Sequence, residues 1–150
     1  MFAAELRRRV MEHRRYDALF ALAICRVEPA SDDSEVHFED AVVNLVTSMR
    51  RNLRETDLMS WISAQEVGVL LPHTNTTEAG IALTRACGAV QNVGLHGSGE
   101  VQFRITHVET EDTSESILAR CRAAAADTVV HPDCGTAAAS GTTDAACVRA

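Results

Sequence analysis

The stretch Leu19–Val27 (LFALAICRV) constrains this chain more than any other. It is a short apolar run with polar residues on either side, so it reads as a buried central strand rather than a surface one. A strand of this kind needs other elements packed on it. The segments around it supply that cover.

Upstream, Phe2, Leu6 and Val10 recur at helical spacing and predict a helix over Phe2 to about Tyr16, with arginines between the apolar positions. The arginine run reads as a solvated helix face. Glu28 to Glu35 (EPASDDSE) is a loop by composition. A longer amphipathic helix follows, about Phe38 to Arg54, with Phe38, Ala41, Val42, Leu45, Val46, Met49 and Leu53 on one stripe. Asp57–Ile62 and Glu66–Leu71 read as a β-hairpin turning at Ser63–Gln65. Pro72 ends its second strand because it has no N–H to donate.

Asn75 and Glu78 form a capping box for a helix with Ala79, Ala82, Leu83, Ala86 and Val90 inward. Gly94, Gly97 and Gly99 mark a loop, Val101–Val108 alternates as a half-buried strand, and Ser114 is expected to cap a last helix with Ile117, Leu118, Cys121 and Ala125 inward. The order α, β, α, β-hairpin, α, β, α predicts an α/β (α+β) domain with a central mixed, antiparallel-containing sheet flanked by helices. The domain is expected to span residues 1–129, and the Ala-, Gly-, Ser- and Thr-rich segment 130–150 reads as a flexible C-terminal tail.

The net charge of −7 over 150 residues argues against non-specific nucleic-acid binding, which needs a basic surface. No apolar run approaches the roughly 20 residues of a membrane span, and no secretory pattern opens the chain. The five cysteines have neither disulfide-framework nor metal-ligand spacing; Cys25, Cys87 and Cys121 read as small core residues, and a reducing cytoplasm fits them best. The six histidines show no ligand spacing. No metal site or cofactor is expected.

One segment carries a resemblance. Arg54-Glu55-Thr56-Asp57, five further residues, Ser63-Ala64-Gln65-Glu66-Val67, and an apolar strand ending Leu71-Pro72-His73-Thr74 are similar to the GGDEF family of diguanylate cyclases. Family members show R-x-x-D, G-G-D/E-E-F and L-P-x-T in the same register. The likeness covers about residues 1–127 by element order and is specific over about Phe38 to Cys87. It implies the GGDEF, nucleotidyl-cyclase-like fold.

The same resemblance implies lost catalysis. Of the signature pentapeptide only Glu66 is retained; Ser63 and Ala64 stand where the family has glycines, and Gln65 stands where it has a metal carboxylate. Arg26 aligns with the other metal carboxylate, and the family's guanine-recognition segments after it are absent. A domain without both carboxylates is expected to be no enzyme, since phosphoryl transfer depends on metal electrostatics.

The resemblance also marks Arg54 and Asp57 as a product-binding site for cyclic-di-GMP, with Arg85 as a further arginine from the next helix. The chemistry suits guanine: an arginine fork reaches O6 and N7, and a carboxylate accepts from N1–H and N2–H. The alternative is a surface ion pair at a helix end. Trp61 either flanks a ligand or packs into the sheet, the latter being expected. Two functions follow: a catalytically inactive cyclic-di-GMP receptor, or a ligand-free module that dimerises or docks to a protein partner in bacterial signalling or exopolysaccharide regulation.

Overall fold

The structure is a computed structural model that describes residues 1–28, 35–91, 100–124 and 128–130. Its elements are α1 (Phe2–Tyr16), β1 (Phe20–Glu28), α2 (Glu35–Asn52), β2 (Leu58–Trp61), β3 (Glu66–Pro72), α3 (Thr76–Gln91), β4 (Glu100–His107), α4 (Ser114–Ala123) and β5 (Thr128–Val130). The sheet order is β2-β3-β1-β4-β5. Each neighbouring pair is antiparallel, so the sheet expected to be mixed has no parallel ladder among the described residues. The parallel relations lie between strands one apart: α2 carries the chain from β1 over β3 to β2, and α3 carries it from β3 over β1 to β4. This is the split β-α-β arrangement.

β1 is central, and its alternation explains its unbroken apolar run. Ala21, Ala23 and Cys25 face one core, with Val42, Leu45 and Met49 of α2, Ala79, Leu83 and Ala86 of α3, and Val67, Val69 and Leu71 of β3. Phe20, Leu22 and Ile24 face the other, with Phe2, Leu6 and Val10 of α1 and Ile117 and Cys121 of α4. The sheet therefore has α2 and α3 on one face and α1 and α4 on the other. Cys25 and Cys121 are buried in the core and are not joined in a disulfide, as read from the sequence; the side chain of Cys87 lies outside the described residues.

Several junctions are set by single residues. Asp17 ends α1 in the left-handed conformation, its N–H bonded to the His13 carbonyl. Asn75 and Glu78 make the expected capping box: Glu78 N–H donates to Asn75 Oδ1 (2.9 Å), and Asn75 N–H donates to Glu78 Oε2 (3.2 Å). At α4 the cap is Thr113, not Ser114. Thr113 exchanges hydrogen bonds with Ser116, three residues on, whereas Ser114 lies inside the first turn and is buried. β5 was not visible in the sequence; its three residues extend the sheet beside Val101–Phe103. The loops expected at 29–34 and around Gly94–Gly99, the inward positions Phe38, Ala41, Val90 and Ala125, and the tail beyond Val130 lie outside the described residues or side chains.

Gly68 fixes where α1 sits. It pairs with Ile24 on the α1 side of the sheet. A Cβ at this position would lie 2.5 Å from Phe2 Cζ and 2.7 Å from Ile62 Cδ1, so the first residues of α1 rest where a side chain would be. The opposite end of α1 is held by Arg14, which donates to the Asp112 carbonyl at 2.8 Å. The Asp112 carboxylate is itself buried and accepts from Glu109 N–H (2.7 Å), Ser116 Oγ (3.0 Å) and Arg120 Nη2 (2.6 Å). Burial pushes its pKa up, but the Glu109 amide, Arg120 and Ser116 outweigh it and hold the group below the usual carboxylate range.

Two outcomes follow. Gly68→Ala should cost about 1–3 kcal/mol in urea denaturation, as overpacking does, and less when added to a Phe2→Ala background than to the native chain, because of the two clashing side chains only Ile62 then remains. The lowered pKa of Asp112 means that its charged form stabilises the fold above the unfolded value of about 3.9, and that this contribution is lost as pH falls below it. The stability gap between the native chain and Asp112→Asn should be widest near neutral pH and narrow below about pH 4.

Candidate functional site

The R-x-x-D segment joins α2 to β2. The helix closes with Leu53 N–H donating to the Met49 carbonyl (3.0 Å), and the chain then turns on Arg54–Asp57. Asp57 N–H donates to the Arg54 carbonyl at 3.0 Å. In return, Asp57 Oδ2 accepts from the main-chain N–H of Arg54 at 2.7 Å. The ion pair offered as the structural alternative is thus a different bond: the carboxylate holds the backbone of Arg54, not its guanidinium. That guanidinium is exposed and makes no hydrogen bond or salt bridge among the described residues.

The turn borders a cleft of about 300 Å³ lined by Arg50, Leu53, Arg54, Glu55, Asp57, Leu58 and Met59. Leu53, Leu58 and Met59 give it an apolar wall. Arg50, in the last turn of α2, and Arg54, just past its end, both line this cleft. Asp57 Oδ1 is closed to water and has no hydrogen-bond partner among the described residues. An unpartnered buried acceptor carries a desolvation cost that an incoming donor would relieve. Arg50 was not singled out from the sequence; the folded cleft brings it beside Arg54 and Asp57.

Arg85 is close to this site without lining the cleft. Its Nη2 donates to the Asn52 carbonyl at 3.5 Å, at the C-terminal end of α2, where a cation suits the helix dipole. Trp61 does not pack into the sheet as expected: it is 45% exposed, because β2 is an edge strand and Trp61 is its last residue. It does not line the cleft either.

The segment aligned with the signature pentapeptide is a hairpin turn. Ile62 and Ser63 N–H groups donate to the Glu66 carbonyl at 2.9 and 3.3 Å. Arg26 and Glu66 are register partners on β1 and β3, so Arg26 and Gln65 come to the same end of the sheet. The Glu66 carboxylate is taken by Arg122, whose Nε and Nη2 donate to Oε2 at 3.2 and 2.9 Å. A divalent cation does not suit this set: the positions that the resemblance marks for metal carboxylates hold a guanidinium and a neutral amide, and Glu66 is paired with Arg122. Among the described residues no cluster of three His, Cys, Asp or Glu side chains could hold a metal ion. No helix among them is long and apolar enough to cross a membrane.

No protein-family model and no curated protein sequence matches the chain. Solved structures do. The diguanylate cyclase SiaD from Pseudomonas aeruginosa, in complex with its activator SiaC, is similar with a TM-score of 0.68 and 23% identity over 83% of this chain and 51% of that one. This chain therefore spans about half the length of SiaD. The GGDEF domain of DgcB from Caulobacter crescentus, in complex with c-di-GMP, gives 0.68 at 13% identity over 81% of this chain and 78% of its own. The FimX GGDEF domain from Pseudomonas aeruginosa gives 0.69 at 15% identity, with 82% of each chain covered. The fold is that of GGDEF domains.

The geometry separates residues that hold the turn from residues that only face the cleft. Asp57→Ala should cost about 1 kcal/mol, because Arg54 N–H loses its acceptor. Arg50→Ala and Arg54→Ala, both exposed, should stay within about 0.5 kcal/mol of the native chain. Thermal denaturation of the three variants checks this.

Proposed function

We propose that this domain is a catalytically inactive GGDEF-fold module that binds cyclic-di-GMP in the cleft at the end of α2. The observation that carries the reading is the Arg54–Asp57 turn, which among the described residues leaves one guanidinium without a partner and one carboxylate oxygen unsatisfied beside an apolar wall. A guanine edge complements that set. Arg54 reaches O6 and N7 as a fork and Leu53 and Leu58 contact the base; Asp57 Oδ1, closed to water in this turn, accepts from N1–H or N2–H once the turn shifts to expose it. Arg50 is placed for a phosphate oxygen. Arg85 acts from the rim if it leaves the Asn52 carbonyl. That DgcB was solved with c-di-GMP supports the choice of ligand.

The hairpin end supports the absence of catalysis. Arg26 and Gln65 give no carboxylate pair for a metal, and Glu66 is held by Arg122. The purified protein should form no cyclic-di-GMP from GTP with Mg²⁺ or Mn²⁺.

The rival reading, a ligand-free interaction module, draws on the structural use of Asp57 and Arg85 by the end of α2. Calorimetric titration separates the two. A receptor binds cyclic-di-GMP at micromolar affinity or better, and Arg54→Ala weakens binding by about tenfold or more, since a charged hydrogen bond contributes about 1.5–3 kcal/mol. Because Arg54→Ala keeps the turn intact, that loss would report on the ligand. A flat titration with a folded protein would favour the rival.

A further inference from the structure

Leu58 belongs to two surroundings at once. It lines the cleft at the end of α2, and it packs against the apolar cluster in which Phe2, Leu6 and Val10 of α1 meet the sheet. The ladder explains this double position. Leu58 and Ser60 stand opposite Leu70 and Gly68, on the α1 side of the sheet, whereas Met59 stands opposite Val69 on the α2/α3 side. Ile62 continues the same face. Its Cδ1 and the Phe2 ring both lie where a Cβ at residue 68 would stand. α1 therefore touches β2 along the face whose first residue is a wall of the cleft.

α1 is fastened to the sheet by side chains. Phe2 rests in the notch at Gly68 at one end, and Arg14 donates to the Asp112 carbonyl at the other. An element held by packing and a few side-chain bonds opens as a local unit, at lower cost than global unfolding. Leu58 is only partly buried, because its remaining surface lines the cleft. When α1 lifts, Leu58 loses neighbours that hold it from the sheet side.

We propose that docking of α1 and binding in the cleft are coupled through Leu58, so that α1 reports whether the cleft is filled. The inference rests on the receptor reading above. With α1 docked, Leu58 is held before the base arrives, and binding carries no cost of ordering it. The shift that exposes Asp57 stays within the turn, because Leu58 is anchored by its pairing with Leu70. With ligand bound, Leu58 is covered on both sides, and α1 rests on a fixed surface. The coupling is reciprocal: the factor that docking adds to affinity, the ligand adds to docking.

Native-state hydrogen exchange on the full chain, with and without cyclic-di-GMP, reads both ends of this link. Saturating ligand should slow the Leu6–Val10 amides several-fold, although none of these residues lines the cleft. Phe2→Ala should speed exchange at Leu6–Val10 and at Leu58, and weaken cyclic-di-GMP binding by about fivefold or more. Arg14→Ala frees the other end of α1 without touching the core and should act in the same direction, so the test does not hang on one variant. Val101→Ala, in the other core, lowers global stability and should leave α1 opening and affinity unchanged. Ligand that binds without slowing α1 overturns the coupling and leaves the receptor reading standing. So do variants that speed α1 exchange with affinity and Leu58 unchanged. A flat titration of the native chain instead overturns the receptor reading. The link from α1 to the cleft wall is then decided by Leu58 exchange, and unchanged exchange in both α1 variants overturns it as well.

Discussion

Burial of β1 on both faces is the constraint from which the architecture follows. A strand with Phe20, Leu22 and Ile24 on one side and Ala21, Ala23 and Cys25 on the other cannot rest against a single layer. Two helices must cover each face, and the chain delivers them in pairs: α2 and α3 from the crossovers, α1 and α4 from the flanks. The small side chains of β1 on the α2/α3 side meet Ala79 and Ala86 of α3. The large ones on the other side meet α1, whose approach at Phe2 is open only because residue 68 is glycine.

This arrangement places the cleft. α2 crosses β3 to reach the edge strand β2, so its C-terminal turn ends at the rim of the sheet. The chain must reverse within five residues, 53–57, and Asp57 does this by taking the Arg54 N–H. The same contact leaves the Arg54 side chain unengaged and facing outward. One residue pair therefore closes the turn through the Asp57 carboxylate and the Arg54 N–H and leaves the Arg54 side chain on the cleft. At the hairpin, at the other end of β2, Glu66 is held in an ion pair with Arg122.

Much of this was legible in the sequence because it rests on periodicity and on local chemistry. The β1 run, the α2 stripe, the hairpin at Ser63–Gln65 and the Asn75–Glu78 box all involve residues within a turn or two of each other. What was missed depends on tertiary context. β5 is three residues long and exists only because β4 offers an edge. Trp61 was expected inside because tryptophan is large and apolar, but its position at the end of an edge strand leaves it half exposed. The cap of α4 falls on Thr113 because its reciprocal partner is Ser116, a choice the adjacent Ser114 obscured. Within the candidate site, Arg54 and Asp57 were found through their register with the hairpin. Arg50 was not, since only the folded cleft brings it beside them.

The account centres on a ligand that contacts the end of α2 and leaves the hairpin turn alone. Amide chemical-shift mapping with cyclic-di-GMP tests this directly, because the Arg54 amide is itself bonded to the Asp57 carboxylate. Perturbations concentrated at Arg50–Met59, with Ser63–Glu66 unmoved, are the predicted result. Perturbations centred on Ser63–Glu66 and Arg26, or none at saturating ligand, would contradict it.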